Sequence, residues 1–206
     1  MTASFFIRLT LGSVVGLVGA AVPALAQHAA PPPISLARAT VTLSGTSNLH
    51  DYTASTSTVR VTQLQLASDT SVPQLLQAVV KPGALQAFEL AIAASTLHST
   101  REGLDKNMHK ALKVKAHADI VFRLTRVEHK SGVLRAVGVL RVAGVEKEVG
   151  FDITTQQKTG SLVVSGSVDL LMTDFGIPAP KAMMGMLRTD PKVTVAFEAV
   201  LSIPLT

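Results

Sequence analysis

The sequence predicts an all-β protein with short helices, an eight-stranded antiparallel β-barrel. Three observations carry this. Apolar residues recur at every second position in stretch after stretch, the hairpins between stretches are sequential, and the one long crossover contains the only clear helical period. Alternation with a period of two marks a strand with one hidden face. Eight such strands suffice to close a barrel whose interior holds one small ligand. A β-sandwich is the structural alternative, because alternation reports burial and not closure.

Residues 1–26 stand apart from the domain. Arg8 supplies a positive start, Leu9 to Ala21 is apolar without a charge, Pro23 breaks the run, and Ala24-Leu25-Ala26 ends it with small residues. This is the pattern of a secretory signal peptide. An uncleaved anchor is the alternative, but the interrupting glycines and the Ala-x-Ala ending favour cleavage after Ala26. The chain is then expected in the periplasm or the surrounding medium. Residues 27–35, rich in alanine and proline, form a flexible lead-in, and residues 36–206 form one barrel domain.

Within that domain the first strand spans about Arg38 to Gly45, with Val41 and Leu43 on one face. A turn over Thr46 to Asp51 leads to a second strand around Thr56 to Leu66. There the apolar phase slips from Val59 and Val61 to Leu64 and Leu66, which predicts a β-bulge. Pro73 to Val80 suits one or two helical turns, ended by Pro82-Gly83. Phe88, Leu90 and Ile92 mark the third strand. Ser99 and Glu102 then have capping-box spacing, ahead of a helix with Leu104, Met108, Ala111 and Leu112 on one face. This helix is expected to cover an open end or flank of the barrel.

Ile120, Phe122 and Leu124 mark the fourth strand, and Leu134, Ala136, Leu140 and Val142 the fifth. Glycines 132, 138, 144 and 150 recur every six residues, but so few copies make about one coil of a β-helix. A hairpin turning near Ala143-Gly144 is the simpler account, its strand glycines permitting a bend. Val149, Phe151 and Ile153 mark the sixth strand, Leu162, Val164, Val168 and Leu170 the seventh, and Val193, Val195, Phe197, Ala199 and Leu201 the eighth.

Composition narrows the function classes. The absence of cysteine excludes disulfides, thiolate metal sites, a cysteine nucleophile and a lipid-modified N-terminus. The formal charge of +5 falls to +4 when Arg8 leaves. The cations are scattered singly, aromatics are 4% of the chain and there is no tryptophan, so nucleic-acid binding is not expected. Attraction to an anionic membrane surface is compatible with the charge.

Several segments together resemble the YceI family of exported, lipocalin-like proteins. They are Gly45-Thr-Ser-Asn-Leu-His-Asp51, Gly103-Leu-Asp-Lys-Asn-Met108, Asp119-Ile-Val-Phe122, Gly138-Val-Leu-Arg-Val-Ala-Gly-Val145 with Val149, and Asp174-Phe-Gly-Ile177. Their order and separation cover roughly residues 36–203. The resemblance implies an elongated lipocalin-like barrel whose apolar tunnel takes a polyisoprenoid, either an isoprenoid quinone or a polyprenyl phosphate. It also implies links to stress responses or membrane electron transport, with a membrane protein of that chain as a partner. Tyr52 stands where similar sequences commonly have tryptophan. No cofactor is required beyond the bound lipid.

The candidate tunnel lining is Val41, Leu43, Phe88, Leu90, Ile92, Ile120, Phe122, Leu140, Leu162, Val164, Phe175, Val195 and Phe197; the bland alternative is that these fill a dry core. His50, Arg101, Lys106 and His109 are the candidates for a headgroup at the mouth, with ordinary solvated charge as the alternative. Ser47, His50 and Asp51 invite a hydrolase reading, but no Gly-x-Ser-x-Gly elbow accompanies them and such residues suit a turn. His98, His109 and His117 lack the tight spacing of a metal site, so none is assigned. Asp174-Phe175-Gly176 mimics the kinase magnesium motif without its companions and suits a rigid bend. Met183, Met184 and Met186 suit an adaptable apolar lip. An interaction module without a ligand is the competing function. Export predicts a mature chain beginning at Gln27, which N-terminal sequencing of the processed protein checks.

Overall fold

A computed structural model describes residues 34–66, 85–182 and 187–202. The segment 73–80, the methionines 183, 184 and 186, the lead-in up to residue 33 and the signal segment lie outside the described residues. Ten strands are present: β1 (Ser35–Ser47), β2 (Tyr52–Thr56), β3 (Val59–Leu66), β4 (Leu85–Ala93), β5 (Asp119–Lys130), β6 (Val133–Val142), β7 (Val145–Lys158), β8 (Ser161–Leu171), β9 (Lys181–Ala182) and β10 (Leu187–Ser202). The helix α1 (Glu102–Ala111) lies between β4 and β5. Single 3-10 turns follow β4 at Ala94–Thr96 and β8 at Met172–Phe175.

All pairs are antiparallel, in the order β2-β1-β10-β8-β7-β6-β5-β4-β3, with the two-residue β9 added to β10. A single curled sheet, not a sandwich, follows. Nine strands lie on this path instead of the expected eight, because Tyr52–Thr56, just ahead of the second predicted strand, forms a strand of its own, and the chain changes partner at Ser57–Thr58. Before the break β2 pairs with β1, from Val41↔Thr56 to Gly45↔Tyr52; after it β3 pairs with β4, from Val59↔Ile92 to Leu66↔Leu85. The outermost strands of the sheet are thus consecutive in the chain, so the sheet must curl until its ends meet.

A chain of hydrogen bonds holds the break. The Thr96 hydroxyl donates to the Ala93 carbonyl at 2.7 Å, so in the 2.7 Å contact between the two threonine hydroxyls Thr56 is the donor. The Thr56 oxygen in turn accepts from the Thr58 N–H at 3.0 Å. Thr56 is the buried polar residue of this region, at 6% exposure. The free edge of β2 is covered by the segment after β4, through Ser55 N–H to His98 carbonyl at 2.8 Å and the reciprocal bond at 3.0 Å.

The predicted bulge appears as a register shift between Val61 and Gln63. The hairpin between β6 and β7 turns at Ala143-Gly144, both at positive φ (50° and 86°), and that between β5 and β6 at Ser131-Gly132 (52° and 81°). Two consecutive positive φ values make the two-residue turn whose twist matches that of paired strands. Outside, Glu89 and Arg123 stand directly opposite each other, as do Arg135 and Asp152, each bridging its partner. Exposed pairs of this kind add about 0–1 kcal/mol apiece; their larger consequence is to commit the other face of each strand to the interior.

The densest packing is at one end. Ala94, Leu97, Leu112, Val142, Ala143, Phe175 and Ile177 are all buried together, with Met108, Ala111, Ile120 and Leu140 against them. This plug joins α1, both 3-10 turns and the β6–β7 hairpin, so the helix covers part of one barrel end, beside the mouth, as its amphipathic spacing predicts.

The hydroxyl chain makes Thr56→Val a sharp test, because valine keeps the shape and removes both of its bonds. Urea unfolding should show a loss of about 1–3 kcal/mol, the usual cost of leaving buried partners unsatisfied.

Candidate functional site

Alternation decides which side chains face inward. Val41 and Leu43 do so on β1, Phe88, Leu90 and Ile92 on β4, Ile120 and Phe122 on β5, Leu140 on β6, Leu162 and Val164 on β8, and Val195 and Phe197 on β10; Phe175 joins them from its 3-10 turn. All thirteen line one cavity of about 1530 Å³. Pockets for drug-sized ligands are typically about 300–1,000 Å³, so this one suits something longer. Phe88, Phe122 and Phe197 are only half-buried, whereas Phe175 of the plug is 3% exposed. The middle of the barrel is therefore a cavity and not a filled core.

Three phenylalanines run across its wall. The Phe122 and Phe151 ring centroids are 5.5 Å apart, and those of Phe151 and Phe197 are 5.6 Å apart. Glycines on the intervening strands make room for them. A Cβ at Gly138 would stand 2.7 Å from the Phe122 ring, and one at Gly166 would stand 3.0 Å from the Phe197 ring. The glycines inside these strands mark close approach, as strand glycines commonly do. Phe151 was readable from the alternation of the sixth strand, but only the ring contacts single it out.

Polar groups gather where β1 turns into β2. The Ser47 hydroxyl accepts from the N–H groups of Leu49 (3.3 Å) and His50 (3.2 Å) and donates to the His50 carbonyl at 2.7 Å. Asn48 ties this turn to β10, donating to the Arg188 carbonyl (3.1 Å) and accepting its N–H at the side-chain oxygen (2.8 Å). The tightened turn sets the His50 imidazole against the Arg101 guanidinium. A guanidinium only donates, so in this contact His50 Nε2 stands as the acceptor. Ser47, His50, Tyr52, Arg101 and Thr189 all line this end of the cavity. Burial, and then the Asp190 charge, raise the Tyr52 phenol above its ordinary value, so it stays a neutral donor.

Two of the four headgroup candidates sit elsewhere. Lys106 is exposed and is not among the cavity-lining residues. On α1 the wall is made by Leu104, Asn107, Met108, Lys110 and Ala111, and at 100° per residue Lys106 faces away from Leu104, Met108 and Ala111. His109 is also absent from the wall: its Nε2 meets the Leu97 carbonyl at 2.8 Å, pinning α1 to the segment after β4. The capping box is not formed either. Arg101 is the N-cap and Ser99 lies two residues earlier, where its hydroxyl accepts the Arg101 N–H at 3.0 Å. Asp105 reaches back instead, accepting from the Ser99 N–H at 2.7 Å and meeting His98 Nδ1 at 3.0 Å.

The hydrolase constellation lacks its geometry. The Ser47 proton is committed to a backbone carbonyl, His50 Nδ1 is 3.5 Å away, and the other ring nitrogen faces Arg101 and no carboxylate. Among the described residues, no group of three or more histidines and carboxylates is placed to hold a metal ion.

Residues 36–201 match the YceI-like domain, so the chain belongs to that family. Its fold is similar to that of BcnA from Burkholderia cenocepacia, at 11% identity with a TM-score of 0.61, covering 79% of this chain and 95% of that one. A polyisoprenoid-binding domain from Saccharophagus degradans, implicated in plant cell wall breakdown, is similar at 11% identity and TM-score 0.61, over 84% of this chain and 99% of that one. A Campylobacter jejuni YceI protein is similar at 14% identity and TM-score 0.51, over 71% and 85%. No curated protein sequence matches this chain.

The Asp105 anchor carries a pH signature. The Ser99 hydroxyl, its N–H and then His98 hold the carboxyl at about 2, below the ordinary 3.8. A lowered acid pKa means the folded state prefers the carboxylate, so its contribution is complete above about pH 4 and fades as pH falls toward about 2. Asp105→Asn should lower stability near neutrality and flatten the acid limb over that window, read from urea midpoints across the same range.

Proposed function

We propose that this YceI-domain chain binds a long polyisoprenoid lipid, with the tail in the barrel cavity and the headgroup at the His50–Arg101 end. The observation that carries this is a large, almost wholly apolar cavity whose strand alternation supplies the lining, with hydrogen-bonding groups gathered at the β1–β2 turn. The polyisoprenoid-binding name of the Saccharophagus relative supports the same reading. Each methylene withdrawn from water contributes about 0.8 kcal/mol, against an association cost of about 4–15 kcal/mol. A few enclosed isoprene units offset that cost without any charged contact.

The mechanism is shielding. The wall excludes water from the tail, and the mouth selects the headgroup. A polyprenyl phosphate would use the Arg101 fork, whose donors match phosphate oxygens; a quinone carbonyl needs one donor, which the Tyr52 phenol or the guanidinium supplies. The signal-like segment 1–26 supports action in the periplasm or outside the cell. There the chain would carry its lipid in a stress response or to a membrane protein of electron transport. An interaction module without a ligand needs a filled interior, and the cavity favours the lipid instead.

Native mass spectrometry of protein purified from a lipid-containing host, with solvent extraction of the bound material, tests the reading. One polyisoprenoid per chain is expected; protein that stays ligand-free after incubation with isoprenoid quinones and polyprenyl phosphates sinks it. Val164→Trp, which fills the cavity from β8, should weaken binding by about tenfold or more while the unfolding midpoint holds. Arg101→Ala should cost a phosphate ligand about tenfold and leave a quinone within about threefold.

A further inference from the structure

Several cations on the barrel wall are engaged across strands, as in Arg38–Glu198, Arg60–Asp119 and Lys192–Asp169. Around α1 the arrangement differs. Lys106, Lys110, Lys113 and Lys115 fall within ten residues, and no acid occurs from 106 to 118. All four are exposed, and no ion pair among the described residues engages them. Lys106 and Lys110 stand at i and i+4, so they share a face of α1. Of the acids at this barrel end, Glu102 and Asp105 lie on the first turn of α1, Asp51 and Asp174 on other connections, and Asp119, Glu146, Asp169 and Asp190 near the ends of strands. The positive strip is therefore confined to the second half of the helix and the turn after it.

Apolar side chains are exposed at the same end. Leu49, at 62%, tips the β1–β2 turn, next to the residue that touches Arg101. Leu171, at 44%, ends β8 and lines the cavity together with Lys110 and Lys113. Basic strip, projecting leucines and the polar mouth of the cavity thus share one rim. Val133, exposed at 45% at the start of β6, stands at the far end of the barrel.

A cationic strip beside exposed leucines is the chemistry of an interfacial membrane contact, in which headgroup attraction and shallow apolar insertion add together. We propose that the α1 end of the barrel docks on an anionic bilayer surface, the lysines against the headgroups and Leu49 and Leu171 entering the interface. Docking in this orientation turns the cavity mouth toward the phase in which a water-insoluble tail resides. It requires no isoprenoid, so it stands or falls separately from the identity of the ligand.

Co-flotation with isoprenoid-free vesicles tests it. The full processed chain should float with phosphatidylcholine vesicles containing a one-third share of phosphatidylglycerol and stay behind with phosphatidylcholine alone. Binding should vanish near 1 M salt, where screening acts within about 3 Å. Each lysine near an anionic surface is worth about fivefold in partition, so Lys106→Glu with Lys115→Glu should weaken binding by about 25-fold or more. The same charge change at the far end, Arg38→Glu with Lys158→Glu, should cost less than about threefold, because those sites lie beyond a Debye length of the surface. Leu49→Asp should weaken binding with the unfolding midpoint unchanged. Equal losses in the two double variants, or no flotation with anionic vesicles, overturns the proposal. Because these vesicles carry no isoprenoid, either result leaves the mass-spectrometric test of the lipid reading undisturbed.

Discussion

The switch of partner at Ser57–Thr58 is the constraint on which the rest of the molecule depends. One stretch of chain pairs with β1 on one side of the break and with β4 on the other. That brings the two ends of a long sheet together, and a curled sheet is what encloses a volume. A break in a strand leaves backbone and hydroxyl groups that must find partners. Here the run from Thr58 N–H through the Thr56 and Thr96 hydroxyls to the Ala93 carbonyl satisfies them and ties the break to the end of β4. The Ser55–His98 bridge covers the edge that the break exposes.

Curling alone would permit a filled barrel. The cavity persists because the plug gathers its buried apolar side chains at one end, leaving the central phenylalanines to line a wall instead of meeting in the middle. Gly138 and Gly166 let the Phe122 and Phe197 rings approach the backbone closely. The arrangement gives up burial that a filled core would have, which the tail of the proposed lipid ligand would restore. Stability and ligand binding are in this sense drawn from the same apolar surface.

The mouth is built by tertiary contacts between segments distant in sequence. The β1–β2 turn is folded on Ser47, tied to β10 by Asn48 and set against α1 through His50 and Arg101. α1 is held in place by His109 on the Leu97 carbonyl and by Asp105 on Ser99 and His98. Residues that suggested ligand chemistry when read singly thus divide into a pair that reaches the cavity, His109, which holds the helix that shapes it, and Lys106, which faces away.

Alternation, turn residues and the slip between Val61 and Leu64 sufficed to specify most of the strands, the hairpin at Ala143-Gly144, the bulge and the twelve candidate lining residues that lie on strands; Phe175 lines the cavity from a 3-10 turn. These are local properties: side-chain direction has a period of two along any strand, and two-residue turns demand backbone angles that glycine readily adopts. The short strand Tyr52–Thr56 and the change of partner after it were not legible, because nothing local says which strand a stretch of chain will pair with. Nor was the Ser99–Glu102 spacing a reliable cap, since Asp105 competes for the Ser99 N–H once His98 is brought beside it. The places of Lys106, His109 and Tyr52 depend on which face of α1 meets the barrel and on how closely Tyr52 stands over Gly45. By itself, then, the sequence determined which residues face inward. Only the tertiary structure decided that they surround a space, because the curvature that opens it is set by contacts between residues such as Thr56 and Thr96, forty positions apart.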